Sequence, residues 1–305
     1  MFKFAFILSA FLILHNLNAS EDQQAPAVIL GKKVYDKACA ACHGILGNGQ
    51  GPAAKYMDPK PRDFTLGTYK FRSTPSGEPP TFEDIKYTIK KGLGGTRMPG
   101  YEGLLTEKEI DHVVAYLQSL SPDFTKSGEG NPINLPEPIP FSEDLLTEGK
   151  HLYMMMECYS CHGAKGLGDG TSAVGMKDDS GRPINPMNFR NGPYRAGEDV
   201  KTIYKTINTG VSGTPMPAFA DVFLFGGGDM DVTSYAEEFS EEWTQSLKAY
   251  FSSQPSDEDI EKMSDEEKQK LNERRKWAIA YYIHSLYQKP GIFKKWFTAN
   301  TDDTH

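Results

Sequence analysis

The sequence predicts an all-α protein made of two tandem copies of one helical domain. Three observations carry this. Two Cys-x-x-Cys-His segments, at 39–43 and 158–162, lie 119 positions apart with matching flanks. Apolar residues recur at three- and four-residue steps, as at Phe82, Ile85 and Ile89. No run alternates convincingly in the manner of a strand.

The N-terminus stands apart. Met1-Phe2-Lys3 gives a short positive start, Phe4 to Leu14 is an apolar run, and Ala19 offers a small residue before Ser20. This is the layout of a secretory signal peptide over 1–19, cleaved after Ala19, and it sends the chain to the periplasm. The run is shorter than the roughly 20 apolar residues a spanning helix needs, and no later segment is apolar enough to cross a membrane. The alternative is an uncleaved anchor. No Cys lies near the cleavage point, which excludes a lipoprotein anchor.

The first copy occupies 20–121. A helix over Ala27 to Tyr35 leads into the first Cys-x-x-Cys-His segment. Thr81 to Lys91 is an amphipathic helix. Thr106 to Leu120 is a third, opened by a capping box of Thr106 with Glu109. A Pro-rich linker follows over 122–142, where Pro132, Pro136, Pro138 and Pro140 favour extended chain.

The second copy occupies 143–297. Gly31 to Tyr35 parallels Gly149 to Tyr153, Pro61-Arg62-Asp63-Phe64 parallels Pro186-Met187-Asn188-Phe189, and the closing apolar segment 112–120 parallels 278–286. This copy carries an acidic insertion at about 220–275, with a glycine turn at Gly226-Gly227-Gly228, a helix near Tyr235 to Phe251, and an N-cap at Ser264 followed by acidic residues. A solvated face explains its acidity, with partner docking as the sharper reading. The segment Gly226 to Asp231 reads as a loop rather than a metal site. The polar tail is 298–305.

Formal net charge is −8, which argues against nucleic acid as a partner. The four cysteines all fall inside the two Cys-x-x-Cys-His segments, so none remains for a structural disulfide or a catalytic thiol. Two cysteines three positions apart share one side of a helical turn and reach the two vinyl groups of one porphyrin; the following His then serves as proximal ligand to the iron. Cys39, Cys42, Cys158 and Cys161 are therefore thioether sites for two haem c groups, with His43 and His162 beneath the irons. A zinc or thioredoxin-like Cys pair is the alternative for one such segment; two of them in a secreted chain with no other cysteine argue against it.

The sixth ligands are Met98 and Met216. Each precedes a proline in a loop at the same repeat position, which restricts the Met to extended conformations, and thioether sulfur is a soft ligand for low-spin iron. Met57, Met176 and Met187 lack this context. Met154, Met155 and Met156 suit pocket packing, and His112, His151 and His284 suit surface or core positions rather than ligation.

On these motifs both halves resemble class I cytochrome c domains. The stretch Pro61 to Gly67 with Tyr69-Lys70-Phe71-Arg72 is similar to a bacterial subgroup that accompanies periplasmic respiratory oxidoreductases, including molybdenum enzymes. The resemblance implies helical haem-wrapping domains, His/Met ligation and one-electron transfer, with a redox donor and acceptor as partners. With both axial positions filled the chain reads as a carrier and not an enzyme, its two potentials positive and unequal. The rival readings are a di-haem peroxidase or thiosulfate dehydrogenase type of enzyme, and a fixed cytochrome subunit of a larger periplasmic oxidoreductase.

Overall fold

The computed structural model describes residues 26–228 and 240–287. The expected signal segment 1–19 and tail 298–305 lie outside the described residues, as do the first residues of the helix expected near Tyr235 and the end of the Gly226 to Asp231 loop. The chain divides into two compact units, the first ending at Pro132 and the second beginning at Ile133. Among the described residues the regular structure is helical, with only isolated bridges at Glu102–Leu105 and Lys177–Pro183.

In the first unit α1 runs through 26–38, α2 spans Ala40–His43, α3 Phe82–Lys91, α4 Glu107–Ser119 and α5 Pro122–Ser127. Local chemistry sets the ends. Thr81 and Asp84 form a capping box at the start of α3, and Thr106 and Glu109 form the expected one at α4. Helix α4 buries Ile110, Val113, Val114 and Leu117, an i, i+3, i+4, i+7 stripe, against Tyr35, Phe64, Ile85 and Ile89. Each such side chain contributes about 1.5–3 kcal/mol on leaving water. Helix α1 crosses α4 so closely that a Cβ on Gly31 would collide with the carbonyl of His112.

The second unit repeats this plan. Helix α6 spans Glu143–Met155, α7 Cys158–His162, α8 Val200–Thr209, α9 Glu241–Ser252, α10 Asp257–Lys262 and α11 Asp265–Leu286. Gly149 of α6 meets the carbonyl of Ala278 in α11 as Gly31 meets that of His112. Three residues separate Tyr35 from Cys39 but four separate Tyr153 from Cys158; the chain turns at the intervening Glu157, which is left-handed (φ 54).

Three features differ from the sequence expectation. The closing helix starts at Asp265, capped by Ser264 and Glu267, and not at Arg275, so the end of the insertion is the first half of that helix. The Pro-rich segment opens with the short helix α5, where Pro122 takes the first turn and Ser121 caps Asp123. The rest of that segment is tied down within each unit. Gly130 N–H donates to Pro79 O and Phe82 N–H to Glu129; beyond Ile133, Tyr281 donates to Ile139 O and Lys201 pairs with Glu137.

The insertion is packed onto the second unit. Trp243 and Leu247 of α9 enter its core with Phe223. The buried guanidinium of Arg275 donates to the carbonyls of Phe223 (2.6 Å) and Phe225 (2.9 Å) and to Gln254 (3.0 Å), and lies 4.4 Å above the Phe225 ring. Glu148 of α6 accepts from Tyr250 and pairs with Arg274.

Candidate haem sites

Each Cys-x-x-Cys-His segment forms a single helical turn, α2 or α7, at the end of the first helix of its unit. His43 N–H donates to Cys39 O, closing the turn that puts both cysteines and the histidine together. The four cysteines are half-buried and no disulfide links them. Burial pushes the Cys39 thiol up to about 11 and the Cys158 thiol up to about 12.

The two histidines are held in the same way. Nδ1 of His43 lies 3.0 Å from Arg62 O, and Nδ1 of His162 lies 3.0 Å from Met187 O. A carbonyl only accepts, so Nδ1 carries the proton and Nε2 keeps a bare lone pair, as an iron ligand requires. Burial also lowers both imidazole pKa values, favouring the neutral form. Each ring is braced by a phenylalanine: Phe64 stacks on His43 at 4.5 Å and Phe189 on His162 at 4.4 Å. Behind them Tyr35 donates to Gly44 O and Tyr153 to Gly163 O, at 2.7 and 2.8 Å.

The methionine loops are likewise duplicated. Met98 N–H donates to Thr96 Oγ1 and its carbonyl accepts from Leu93 N–H; Met216 N–H donates to Thr214 Oγ1 and its carbonyl accepts from Val211 N–H. Both side chains are partly exposed. The loops are anchored differently. Tyr101 donates to Ala38 O beside Cys39, whereas Phe219 has no hydroxyl and its neighbour Ala220 O accepts from Asn272 and Lys276 of α11.

The donor set fits a c-type haem in each unit: two thiols for the thioethers and a neutral imidazole with its Nε2 lone pair available. An orphaned buried hydroxyl on Tyr69, beside the first site, adds a hydrogen-bond donor that no described protein group uses. The phenylalanine braces and the carbonyls that fix the histidines were not assigned roles from sequence. Their signal was the Pro61-Arg62-Asp63-Phe64 and Pro186-Met187-Asn188-Phe189 pair, visible as repeat but silent about purpose. His151 is a buried core residue of α6, as expected, and Met154 packs in the core of the second unit.

Comparison with known proteins agrees. The cytochrome c family model matches residues 28–121 and again 146–235. The chain is 28% identical over 200 residues to the cbb3-type cytochrome c oxidase subunit CcoP of Azospirillum sp. (strain B510), covering 62% of this chain and 55% of that subunit. For the CcoP of Azospirillum brasilense the shares are 68% and 60%, so the chain spans little more than half the length of these relatives. Cytochrome c6 of Chlorolobion braunii is 35% identical over 88 residues, covering 29% of this chain and 84% of that protein. Among solved structures, a chain of the Kuenenia stuttgartiensis reducing HAO-like protein complex Kustc0457/Kustc0458 superposes with a TM-score of 0.66 at 35% identity, over 85% of this chain and 96% of that one. No helix among the described residues is long and apolar enough to cross a membrane. The chain belongs to the cytochrome c family, as two tandem cytochrome c domains that carry two haem c groups.

Proposed function

We propose that the protein is a di-haem electron carrier of the periplasm, with His43 and Met98 as the axial pair of the first site and His162 and Met216 as that of the second. The observation that carries this is the duplicated histidine geometry, with Nδ1 fixed by a backbone carbonyl and Nε2 left as the ligand atom in both domains. The haem groups supply the one-electron couple. The protein's residues do the rest. Cys39, Cys42, Cys158 and Cys161 hold the groups covalently; Phe64 and Phe189 keep the imidazoles from rotating; the Thr96 and Thr214 hydroxyls shape the methionine loops. Tethering of both loops supports filled axial positions, and hence a carrier over an enzyme with an open iron.

A fixed subunit of a larger oxidoreductase is favoured over a free shuttle by one finding. The likeness to the Kustc0457/Kustc0458 complex covers 96% of the matched chain, insertion-bearing half included. The partner would then be a multisubunit redox enzyme on one side and a second electron protein on the other.

Near-infrared spectroscopy of the oxidised protein tests the ligands. The weak sulfur-to-iron band should match two haems and fall by half in Met98→Ala and by half in Met216→Ala. A band unchanged by either substitution overturns that pair. Co-purification tests the subunit reading: a fixed subunit stays with its partner at low and high salt, whereas a shuttle is monomeric at both.

A further inference from the structure

The closing helices of the two domains differ at one buried position. Counted from the closing apolar segments, 112–120 and 278–286, Lys276 of α11 stands where α4 has Ile110. Both side chains are inside: Ile110 belongs to the core of the first unit, and Lys276 is 4% exposed. Nζ of Lys276 donates to Ala220 O at 2.8 Å and lies 5.4 Å from the centre of the Tyr204 ring. The acids whose charges reach it, exposed Asp221 and half-buried Glu273, form no ion pair with it. Burial lowers its pKa from the ordinary lysine range, and those two acids oppose the change.

An ammonium is a costly group to bury, and the fold does not demand this one. Asn272 already donates to Ala220 O at 2.9 Å, and the first domain fills the position with an isoleucine. What the lysine adds is a charge, and its place decides where that charge acts. Ala220 lies four residues beyond Met216, at most about 14 Å away along a fully extended chain. At that range, with an effective dielectric of ~20, one unit charge moves the equilibrium of another by about fivefold. The acids of the insertion act more weakly, because they are outward-facing caps on α10 and α11 where water and salt screen them. The neighbouring Arg275 is turned into the insertion, where the buried carboxylate of Glu148 answers its charge.

We propose that Lys276 raises the reduction potential of the second haem, on the reading that Met216 is the axial ligand there: its buried ammonium, tied to the loop that carries Met216, favours the reduced iron. Reduction adds one electron and removes one unit of positive charge from the haem, so a fixed cation is repelled less afterwards. Lys276 itself gives up neither proton nor electron. The first domain, with Ile110 at this position, has no counterpart.

The test uses the full-length holoprotein, with redox titration for the two haem waves and the near-infrared sulfur-to-iron band for the ligands. Met216→Ala marks the wave of the second haem. Lys276→Gln keeps a donor for Ala220 O and removes the charge. It should move the reduction equilibrium of that wave about fivefold toward the oxidised form, leave the other wave in place and keep the band of two haems. Lys276→Arg, which keeps the charge, should hold the wave near its wild-type position. Asn272→Ala, which removes the other donor and keeps the charge, should lower the melting temperature with both waves unmoved. An equal shift in Asn272→Ala overturns the proposal, because loop position and not charge would then set the wave. The other failures are distinct: a band that Met216→Ala leaves whole overturns the ligand reading, whereas an intact band with unmoved waves in Lys276→Gln overturns the role of Lys276. Should Lys276→Gln fail to fold, Lys276→Ile, the residue of the first domain, decides by the same readings.

Discussion

The hydroxyl of Tyr101 donates to the carbonyl of Ala38 at 2.8 Å, tying the Met98 loop to the residue just before Cys39. The loop and the haem attachment are thus joined by one bond between residues 63 positions apart. The second domain places Phe219 at this repeat position and anchors its loop through Ala220 O to Asn272 and Lys276 instead. One architecture therefore closes its two distal loops by different means.

Removing the first anchor should loosen only the first loop. Tyr101→Phe deletes a hydrogen bond of about 1 kcal/mol, so an external ligand such as cyanide should displace Met98 about fivefold more readily. Cyanide titration followed in the near-infrared would show one of the two haems shifted and the other unchanged. Equal shifts at both haems would contradict the separate anchoring.

The repeat, the attachment residues and the helix caps at Thr106 and Ser264 were legible in the sequence because each is local: fixed spacings, an i to i+3 cap, a 3.6-residue stripe. What was not legible depends on long-range packing. In the first domain Lys86 and Asp111 form an ion pair at 2.6 Å near the surface. The same repeat positions in the second hold Tyr204 and Trp277, stacked at 4.1 Å and buried. Both belong to the core of the second unit, which also takes in Phe223, Trp243 and Leu247 of the insertion and has Leu135 and Ile139 packed against it. The acidic composition of the insertion suggested a solvated appendage. The acids are outward-facing caps on α10 and α11, while Phe223, Trp243 and Leu247 reach inward to the core. The start of the closing helix was misplaced for the same reason: its first half carries charge because it faces water, so only the apolar second half stood out.

Arg275 is the pin of the insertion. It is fully buried and its guanidinium satisfies two carbonyls and an amide oxygen of the insertion. Burial lowers its pKa, yet a guanidinium stays charged. Arg275→Met keeps the bulk but strands those three acceptors, and should destabilise the second domain by about 3 kcal/mol. Calorimetry should show the transition of the second domain lowered and that of the first unmoved, and limited proteolysis should cut first within 220–264. Resistance to cleavage there would mean that the apolar anchors alone hold the insertion.

His151 makes the second domain acid-sensitive. It is buried in α6, with Nε2 3.1 Å from Ser246 Oγ of the insertion and its ring stacked on Tyr250 at 5.0 Å. Nδ1 has no partner. Burial, with the charge of neighbouring Lys150, holds its pKa at about 4 against an ordinary 6.5. The folded domain therefore binds this proton less readily than the unfolded chain. The stability tied to the neutral imidazole is complete above about pH 6.5, declines as pH falls, and is lost by about pH 4. Glu148 and Arg274 pair nearby, and a protonated His151 would have to share that carboxylate or expel α9. Melting the holoprotein between pH 7.5 and 4.5 should show the second transition falling more steeply than the first. His151→Gln, which cannot take up a proton, should flatten the difference; a slope unchanged by the substitution would move the acid sensitivity to other groups.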